Sequence, residues 1–436
     1  MSTHPSFAFL PALALAALLG CGGSHFSPSA GQATFSVMSD THLHDDTALG
    51  ASGADFEAYL AGDRKMIAQS EEILDAALAD VKTQKPDFLM ISGDLTKDGE
   101  EINHFLMAYK LSLVRSQGIK VLVIPGNHDI NNPDAANYLT SPKTPATHIA
   151  ADEFQQIYED CGYGEALFRD PTSLSYVAEP VPGLWVFALD TCDYTNNLAN
   201  GTPTTSGRLS SATQTWALDL LSVAKAKGKS VIGMMHHGIV EHFAGQSTLF
   251  PEYLLSNYPT VGKTLADAGL RVIFTGHFHA NDVSLADFTT SKLYDCETGS
   301  LVTTPSPYRF ATADLDRKTL TISTSQVTSI PSHPTDFPTF SHDFIYDGLI
   351  NLALYQFENP PYSLPAPTAT YLAPFLADAM MAHYAGDENL TDPTTAATLN
   401  GLASSSDPAT QALGLSLLSL WTDKTPADNN VTIPLQ

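Results

Sequence analysis

Basic residues are scarce in this chain. Its 436 residues include 21 Lys and Arg against 47 Asp and Glu, a formal charge of −26. A surface so poor in cations cannot displace the counterions of a long polyanion, which excludes duplex DNA as a partner. Small anionic substrates remain compatible, because bound metal ions bring their own positive charge. Cysteine is sparse too: four residues, with no Cys-x-x-Cys spacing. That excludes a disulfide scaffold and a thiolate metal cluster. Cys161, Cys192 and Cys296 read as buried structural thiols, although an oxidising compartment would permit one disulfide. Repeats and coiled-coil heptads are absent. What remains, 43% hydrophobic and 16% charged, is a globular chain long enough for two domains and a sizeable core.

The N-terminal stretch Phe7–Gly20 is apolar, interrupted by Pro11; it is shorter than the roughly 20 residues of a membrane-spanning helix and has signal-peptide length. It ends in Leu18-Leu19-Gly20-Cys21, followed by Gly22-Gly23-Ser24. A cysteine directly after a small residue resembles a bacterial lipoprotein signal. Residues 1–21 are therefore expected to be a leader that leaves Cys21 lipidated, with 22–31 as a flexible linker. The expected location is the bacterial envelope, facing the periplasm or the exterior, with the membrane reached through the lipid. The n-region has no Lys or Arg, and a plain secretory signal with an incidental Cys21 is the alternative.

From Ala33 onward, strands alternate with helices. Ala33–Met38, Asp87–Ile91 and Val121–Ile124 read as buried strands. Arg64–Val81 and Ile102–Ser116 carry apolar residues at helical spacing between them. This β-α-β-α-β order predicts parallel strands with helical crossovers. A second series follows, with strands Leu184–Leu189, Val231–Met235, Val272–Thr275 and Leu293–Cys296 and a helix at Thr213–Lys227. Phe310–Ser323 reads as a hairpin about Asp314–Lys318, residues 131–181 as helix and loop, and Asp193–Gly207 as a polar loop. The Pro/Ser/Thr/His-rich stretch Ser329–Ser341 reads as a linker. Beyond it Phe344–Phe357, Thr368–Tyr384, Pro393–Leu402 and Thr410–Trp421 read as helices. The expected domains are 32–330, catalytic, and 331–436, a small helical C-terminal domain.

Five short patches of ligand-type residues follow those strands: Asp40-Thr41-His42, Gly93-Asp94, Gly126-Asn127-His128-Asp129, His236-His237 and Gly276-His277-Phe278-His279. Asp40 and His42, two apart on an extended segment, point the same way and can reach one ion. Glycine before Asp94 permits a sharp turn, and a carboxylate there can bridge two cations. The Asn127 amide oxygen is a hard neutral ligand, and His128 beside it can move a proton. Of His236 and His237 only one should face an ion, because adjacent strand residues point apart. His277 and His279 repeat the spacing of Asp40 and His42. Any one patch could be a capped turn or a lone imidazole; five at strand ends point to one shared site.

The set D-x-H, G-D, G-N-H-D, H and G-H-x-H resembles the calcineurin-like metallophosphoesterase superfamily, over residues 34–328. The resemblance implies an α/β fold, a two-sheet αββα sandwich with helices outside. It implies one metal on Asp40, His42, Asp94 and His279, and a second on Asp94, Asn127, His236 and His277, so that Asp94 bridges. It also implies a binuclear metal-dependent phosphoester hydrolase, in which a hydroxide between the ions attacks phosphorus in line. His128 would steady the phosphoryl oxygens or protonate the leaving alkoxide. Ligation by N and O without thiolate suits Fe, Mn or Zn.

Where many relatives carry an acid that orients this histidine, the chain has Lys97. Asp98, Asp129 or Glu100 would have to serve instead, and His104 is a further supporting candidate.

Gly93-Asp94-Leu95-Thr96 with Gly99-Glu100, and Gly207-Arg208-Leu209-Ser210 before the Gln214/Trp216 helix, resemble the class III cyclic-nucleotide phosphodiesterase branch and its exported bacterial relatives. The expected substrate is a small phosphodiester. A phosphomonoesterase or a lipid-headgroup phosphodiesterase is the alternative. A non-catalytic scaffold is the remote one, since every ligand position is filled. Specificity is expected in Asp193–Ser206, Asn131–Tyr163 and the C-terminal helices. The sequence leaves oligomeric state open.

Overall fold

The computed structural model describes residues 31–360, 362–386 and 388–435. The leader, Cys21 and the linker up to residue 30 lie outside the described residues. In chain order the strands are β1 (Gln32–Met38), β2 (Phe88–Ile91), β3 (Lys120–Val123), β4 (Ala136–Asn137), β5 (Thr144–Pro145), β6 (Phe168–Arg169), β7 (Tyr176–Val181) and β8 (Leu184–Leu189). They continue with β9 (Ser230–Met235), β10 (Val272–Thr275), β11 (Val283–Asp287), β12 (Lys292–Glu297), β13 (Pro307–Asp314), β14 (Thr319–Gln326) and β15 (Asn430–Pro434). One six-stranded sheet runs β15-β14-β13-β1-β2-β3 and a seven-stranded sheet runs β11-β12-β10-β9-β8-β7-β6. Strands β4 and β5 form a separate small ribbon.

The parallel strands are β1-β2-β3, which form one end of the first sheet, and β12-β10-β9-β8, at the centre of the second. Parallel strands are covered on both faces and so read as unbroken apolar runs. Phe88-Leu89-Met90-Ile91 and Val272-Ile273-Phe274-Thr275 are fully buried. The sheets meet face to face: Phe35 of β1 stacks on Phe88 at 4.8 Å between ring centroids and meets Phe274 of β10 edge-on at 5.5 Å. Each such buried ring contributes roughly 1.5–3 kcal/mol through lost water contact. Helices Ser70–Gln84, Glu101–Arg115 and Ser211–Ala226 cover the outside with their apolar faces.

Several sequence expectations shift. The helix expected over Arg64–Val81 starts only at Ser70, after a short 3-10 turn at Ile67–Gln69. The Met66 amide donates to the Val302 carbonyl instead of continuing a helix, which frees Asp63–Lys65 to turn elsewhere. Residues 131–181 also hold a strand, β7, hidden in the sequence by Pro180. The stretch Ser329–Ser341 is not wholly a linker, because a helix already runs from Phe337 to Glu358. Pro338 reads as a breaker, yet it sits in the first turn, where no intrahelical hydrogen bond is lost.

The C-terminal helices Phe337–Glu358, Ala366–Ala385, Pro393–Ala403 and Pro408–Ser419 follow. In the first, Ile345, Leu349, Ala353 and Phe357 recur at four-residue spacing and are all buried, the i, i+4 seam along which helices pack. The segment 331–436 is not wholly helical: β15 returns to pair antiparallel with β14, extending the catalytic sheet. Cys161, Cys192 and Cys296 are free thiols. Among the described residues, no helix is long and apolar enough to cross a membrane.

Candidate metal centre

All seven candidate ligands converge where the carboxyl ends of the parallel strands of both sheets meet. Asp40 and His42 follow β1, Asp94 follows β2, Asn127 follows β3, His236 follows β9, and His277 and His279 follow β10. Open α/β sheets bind ligands at such ends because the chain must turn there, leaving side chains and backbone to face a crevice. Asp40, His42, Asp94, His277 and His279 all adopt positive φ, between 39° and 76°. Left-handed backbone at a residue other than glycine costs about 1–3 kcal/mol and persists only where surroundings enforce it.

The enforcing contacts are local. Gly93 takes φ 94°, and the Asp40 and His42 amides donate to the Gly93 and Asp94 carbonyls. Gly126 passes so close to Asp94 that a Cβ there would lie 2.1 Å from its Oδ1. The carboxylate of Asp129 accepts from the amides of Leu95, Thr96 and Gly126 and from the Thr96 hydroxyl. It staples the second patch to the third and does not touch the His128 ring.

Three overlapping groups of ligand atoms result, each within 4.8 Å: Asp40, His42 and His279; His42, Asp94 and His128; and Asp94, His236 and His277. Asp94 joins them through a single oxygen, with Oδ2 lying 3.6 Å from His42 Nε2 and 3.5 Å from His236 Nε2. His279 Nε2 is 3.4 Å from Asp40 Oδ1, and Asn127 Oδ1 is 3.1 Å from His236 Nε2. Ligand atoms each about 2.1 Å from one ion lie roughly 3–4 Å from each other. Asp40 Oδ1, His42 Nε2 and His277 Nε2 are buried without a hydrogen-bond partner, an arrangement that a cation satisfies and an empty protein core does not. The residues present therefore fit a pair of ions. Two of these ligands are anchored through their other atom: His236 Nδ1 to the Ser92 carbonyl at 2.8 Å, and Asp40 Oδ2 to Ser39 Oγ at 2.6 Å and the His277 amide at 2.9 Å. Such outer contacts fix the ring and carboxylate orientation of ligands.

His128 stands at the rim. Its amide donates to Asp94 Oδ1 at 2.9 Å, and its Nδ1 lies 2.9 Å from Asp98 Oδ1, leaving the other ring nitrogen for the cavity. Of the three acids considered from sequence, Asp98 is the one that holds His128. Lys97 explains why: its ammonium is fully buried, contacts the second oxygen of Asp98, lies 3.6 Å from Glu100 Oε1 and sits 4.0 Å above the Tyr59 ring. Burial pushes the Asp98 carboxyl upward, but Lys97 and His128 outweigh it and hold the carboxyl far below its usual range. Burial and Lys65 lower the His128 pKa, yet Asp94 and Asp98 outweigh them and raise it.

His104 does not reach the cavity. Its ring bonds to the Tyr158 hydroxyl and the Asp129 carbonyl, both at 2.9 Å, and burial pushes its pKa down to about 3. His237 faces away from the ligands' shared space, with its nitrogens on Thr191 Oγ1 and the Thr205 carbonyl.

The centre opens into a cavity of about 270 Å3. Its floor is Asp94, Asn127, His128, His277 and His279. Asp63, Arg64 and Lys65 line it too, together with Leu352, Leu376, Met380 and Tyr384 from the C-terminal helices. Thr202, Pro203 and Thr205 of the polar loop contribute, whereas Asn131–Tyr163 supplies no lining residue. Sequence reasoning missed Asp63–Lys65, Tyr253 and Tyr384. The charged triplet just before an apolar helix was the one available signal.

A family model described as calcineurin-like phosphoesterase matches residues 33–281, more than half of the chain. Among solved structures, a dimetal phosphatase from Danio rerio is 15% identical, with 67% of this chain and 96% of that chain covered and a TM-score of 0.46. The protein TT1561 of Thermus thermophilus is 10% identical, with 68% and 99% covered and a TM-score of 0.36. The phosphopantetheinyl hydrolase of Mycobacterium tuberculosis is 12% identical, with 61% and 89% covered and a TM-score of 0.30. No curated protein matches. The chain belongs to the calcineurin-like phosphoesterase family, whose members are dinuclear metal-dependent phosphoester hydrolases.

Proposed function

We propose that the protein is a phosphodiesterase acting on a small diester, cyclic nucleotides being one candidate class. One observation carries this reading: the cavity beside the centre is lined by both cationic and apolar groups. Arg64 lines the cavity and brings a guanidinium there for a non-bridging phosphoryl oxygen. The charge of Lys65 is largely offset by Asp63 at 3.2 Å. The net cation of this triplet matches the single charge of a diester better than the double charge of a monoester. Leu352, Leu376, Met380 and the rings of Tyr253 and Tyr384 line the same cavity and suit the second organic group that only a diester carries.

In this reading Asp40, His42, Asp94 and His279 hold one ion, and Asp94, Asn127, His236 and His277 hold the other. Bound there, the ions supply Lewis-acid polarisation and a water of lowered pKa. The chain supplies the rest. Arg64 orients the phosphoryl group, and His128, cationic beside Asp98, gives a proton to the departing alkoxide. Asp98 accepts from His128 Nδ1 throughout and keeps the donor nitrogen pointed at the cavity. Lys97 keeps Asp98 ionised.

The same centre serves a phosphomonoesterase or a lipid-headgroup phosphodiesterase, and the apolar lining lends the latter some support. Export as a Cys21-linked lipoprotein belongs to the proposal and rests on the N-terminal sequence. The test is a panel of aryl monoesters and diesters, cyclic nucleotides and phosphocholine lipids, assayed with Mn, Fe and Zn after chelation. Diester turnover exceeding monoester turnover supports the proposal; strong monoester activity without diester activity overturns it.

A further inference from the structure

A second cluster of ligand-type groups lies behind the Gly276–His279 turn, apart from the seven residues above. Asp282 precedes β11, His383 closes the helix Ala366–Ala385, and Glu388 follows just beyond it. One ligand atom from each lies within 4.8 Å of the other two. Asp282 and His383 are 0% exposed and Glu388 4%. His383 Nδ1 contacts Glu388 Oε1. That leaves Asp282 Oδ2, His383 Nε2 and Glu388 Oε2, three buried atoms on three side chains, each without a hydrogen-bond partner.

Buried carboxylates are paired with cations or hold metals, because an unpaired buried charge is too costly. Arginine does not supply the pairing here. Arg309 is fully buried, but its guanidinium donates to the backbone carbonyls of Asp428, Glu297 and Asp282, not to these carboxylates. The other oxygen of Asp282 is held by His242 Nδ1 at 2.8 Å and Ser284 Oγ at 3.0 Å. The acid is thus oriented in the way that outer contacts orient a metal ligand.

We propose that Asp282, His383 and Glu388 bind a further divalent cation, with a structural role, at the junction of the catalytic sheets and the C-terminal helices. One imidazole and two carboxylates without thiolate suit Zn2+ or Mn2+; a nitrogen ligand argues against Ca2+. Glu388 also lies within 4.8 Å of ligand atoms of Asp423 and Asp428, and Asp423 is exposed, which marks the side open to an entering ion.

The location gives the ion a consequence for the first centre. The Asn281 amide donates to the His383 carbonyl at 3.1 Å, and the His383 ring lies 6.0 Å from that of Phe278, which sits between His277 and His279. The next residue, Tyr384, lines the substrate cavity. An ion at His383 therefore fixes both the turn that carries two ligands and a residue that lines the substrate cavity.

The test is metal content of the full chain after chelation and reloading with Zn2+ or Mn2+. The wild type should retain one ion more than a dinuclear centre holds. Asp94→Asn, which disables the bridge, should still retain an ion, visible as cobalt absorption after Co2+ loading and as a rise in Tm on adding Zn2+. His383→Ala with Glu388→Gln should lose that ion and the metal-dependent Tm rise. Glu388→Gln alone, nearly isosteric, serves if the double variant does not fold. A wild type holding only the dinuclear pair, a variant that keeps the extra ion, or a site filled by Ca2+ alone would overturn the proposal.

Discussion

Replacing Asp98 with Asn tests the most specific mechanistic link in the structure. The amide keeps the shape of the side chain but removes the charge 2.9 Å from His128 Nδ1. Two unit charges about 4 Å apart interact by about 4 kcal/mol at an effective dielectric of ~20. Asp98 also spends its charge on Lys97, so half that figure, about 2 kcal/mol, is assigned to the protonated His128. That corresponds to roughly a 30-fold loss in kcat, short of the ~10²–10⁴ that general acid catalysis supplies in full. The loss should depend on the leaving group. A diester that expels an alkoxide needs the proton and should show the full loss. One that expels p-nitrophenolate does not, and should lose less than about threefold. Removing the charge also lowers the His128 pKa, so the alkaline limb of kcat for the alkyl ester should move to lower pH. Thermal melts and metal content are needed alongside, because Lys97 is left with Glu100 at 3.6 Å and the Tyr59 ring, and breaking a buried pair costs about 3–5 kcal/mol at most. Equal losses on both leaving groups, in a folded and metal-loaded variant, would refute the assignment of Asp98 to proton transfer.

Three other outcomes are expected. His128→Ala should abolish alkyl-ester turnover while leaving metal content intact, since the contact to Asp94 comes from the His128 backbone amide; full activity in that variant would show the proton-transfer role to be wrong. Gly126→Ala should expel metal and activity together, because the new Cβ would fall 2.1 Å from the Asp94 amide nitrogen and Oδ1; retained ions by elemental analysis would contradict this. Tyr384→Phe, which removes the hydroxyl bonded to the Arg64 side chain, should leave the centre filled and raise KM more than it lowers kcat, by about threefold to tenfold for loss of one hydrogen-bonding group, with steady-state kinetics as the measurement.

Much of the site was legible because its residues are local in sequence. D-x-H, G-D, G-N-H-D and G-H-x-H each sit in a turn directly after a buried apolar strand, and such strands are recognisable by composition alone. Glycine at 93 and 126 marked places where backbones approach closely, and the structure shows Gly126 against Asp94. The His236/His237 choice was also local, because strand alternation forces neighbours apart. The partner of His128 was not legible. Asp98, Asp129 and Glu100 are all close in sequence, and only packing sorts them: Asp129 is used up by three backbone amides, Glu100 is held through one oxygen by the Asp98 amide and Asn103 with the other 3.6 Å from Lys97, and Asp98 is left facing the ring. Lys97, the apparent departure, proved to be a buried counter-ion for that arrangement.

The C-terminal region shows the same division. Its helices were readable from apolar spacing, yet nothing local announced that Asn430–Pro434 would return to the edge of β14 or that Met380 and Tyr384 would line the cavity. By itself the sequence determined the reaction chemistry, because metal ligands are few residue types placed at strand ends, and strand ends follow from composition. Only the tertiary structure decided what orients His128, which residues line the cavity and where Asp282, His383 and Glu388 come together. Those depend on contacts between segments up to hundreds of residues apart, and chain closure over such distances leaves no periodic trace in the sequence.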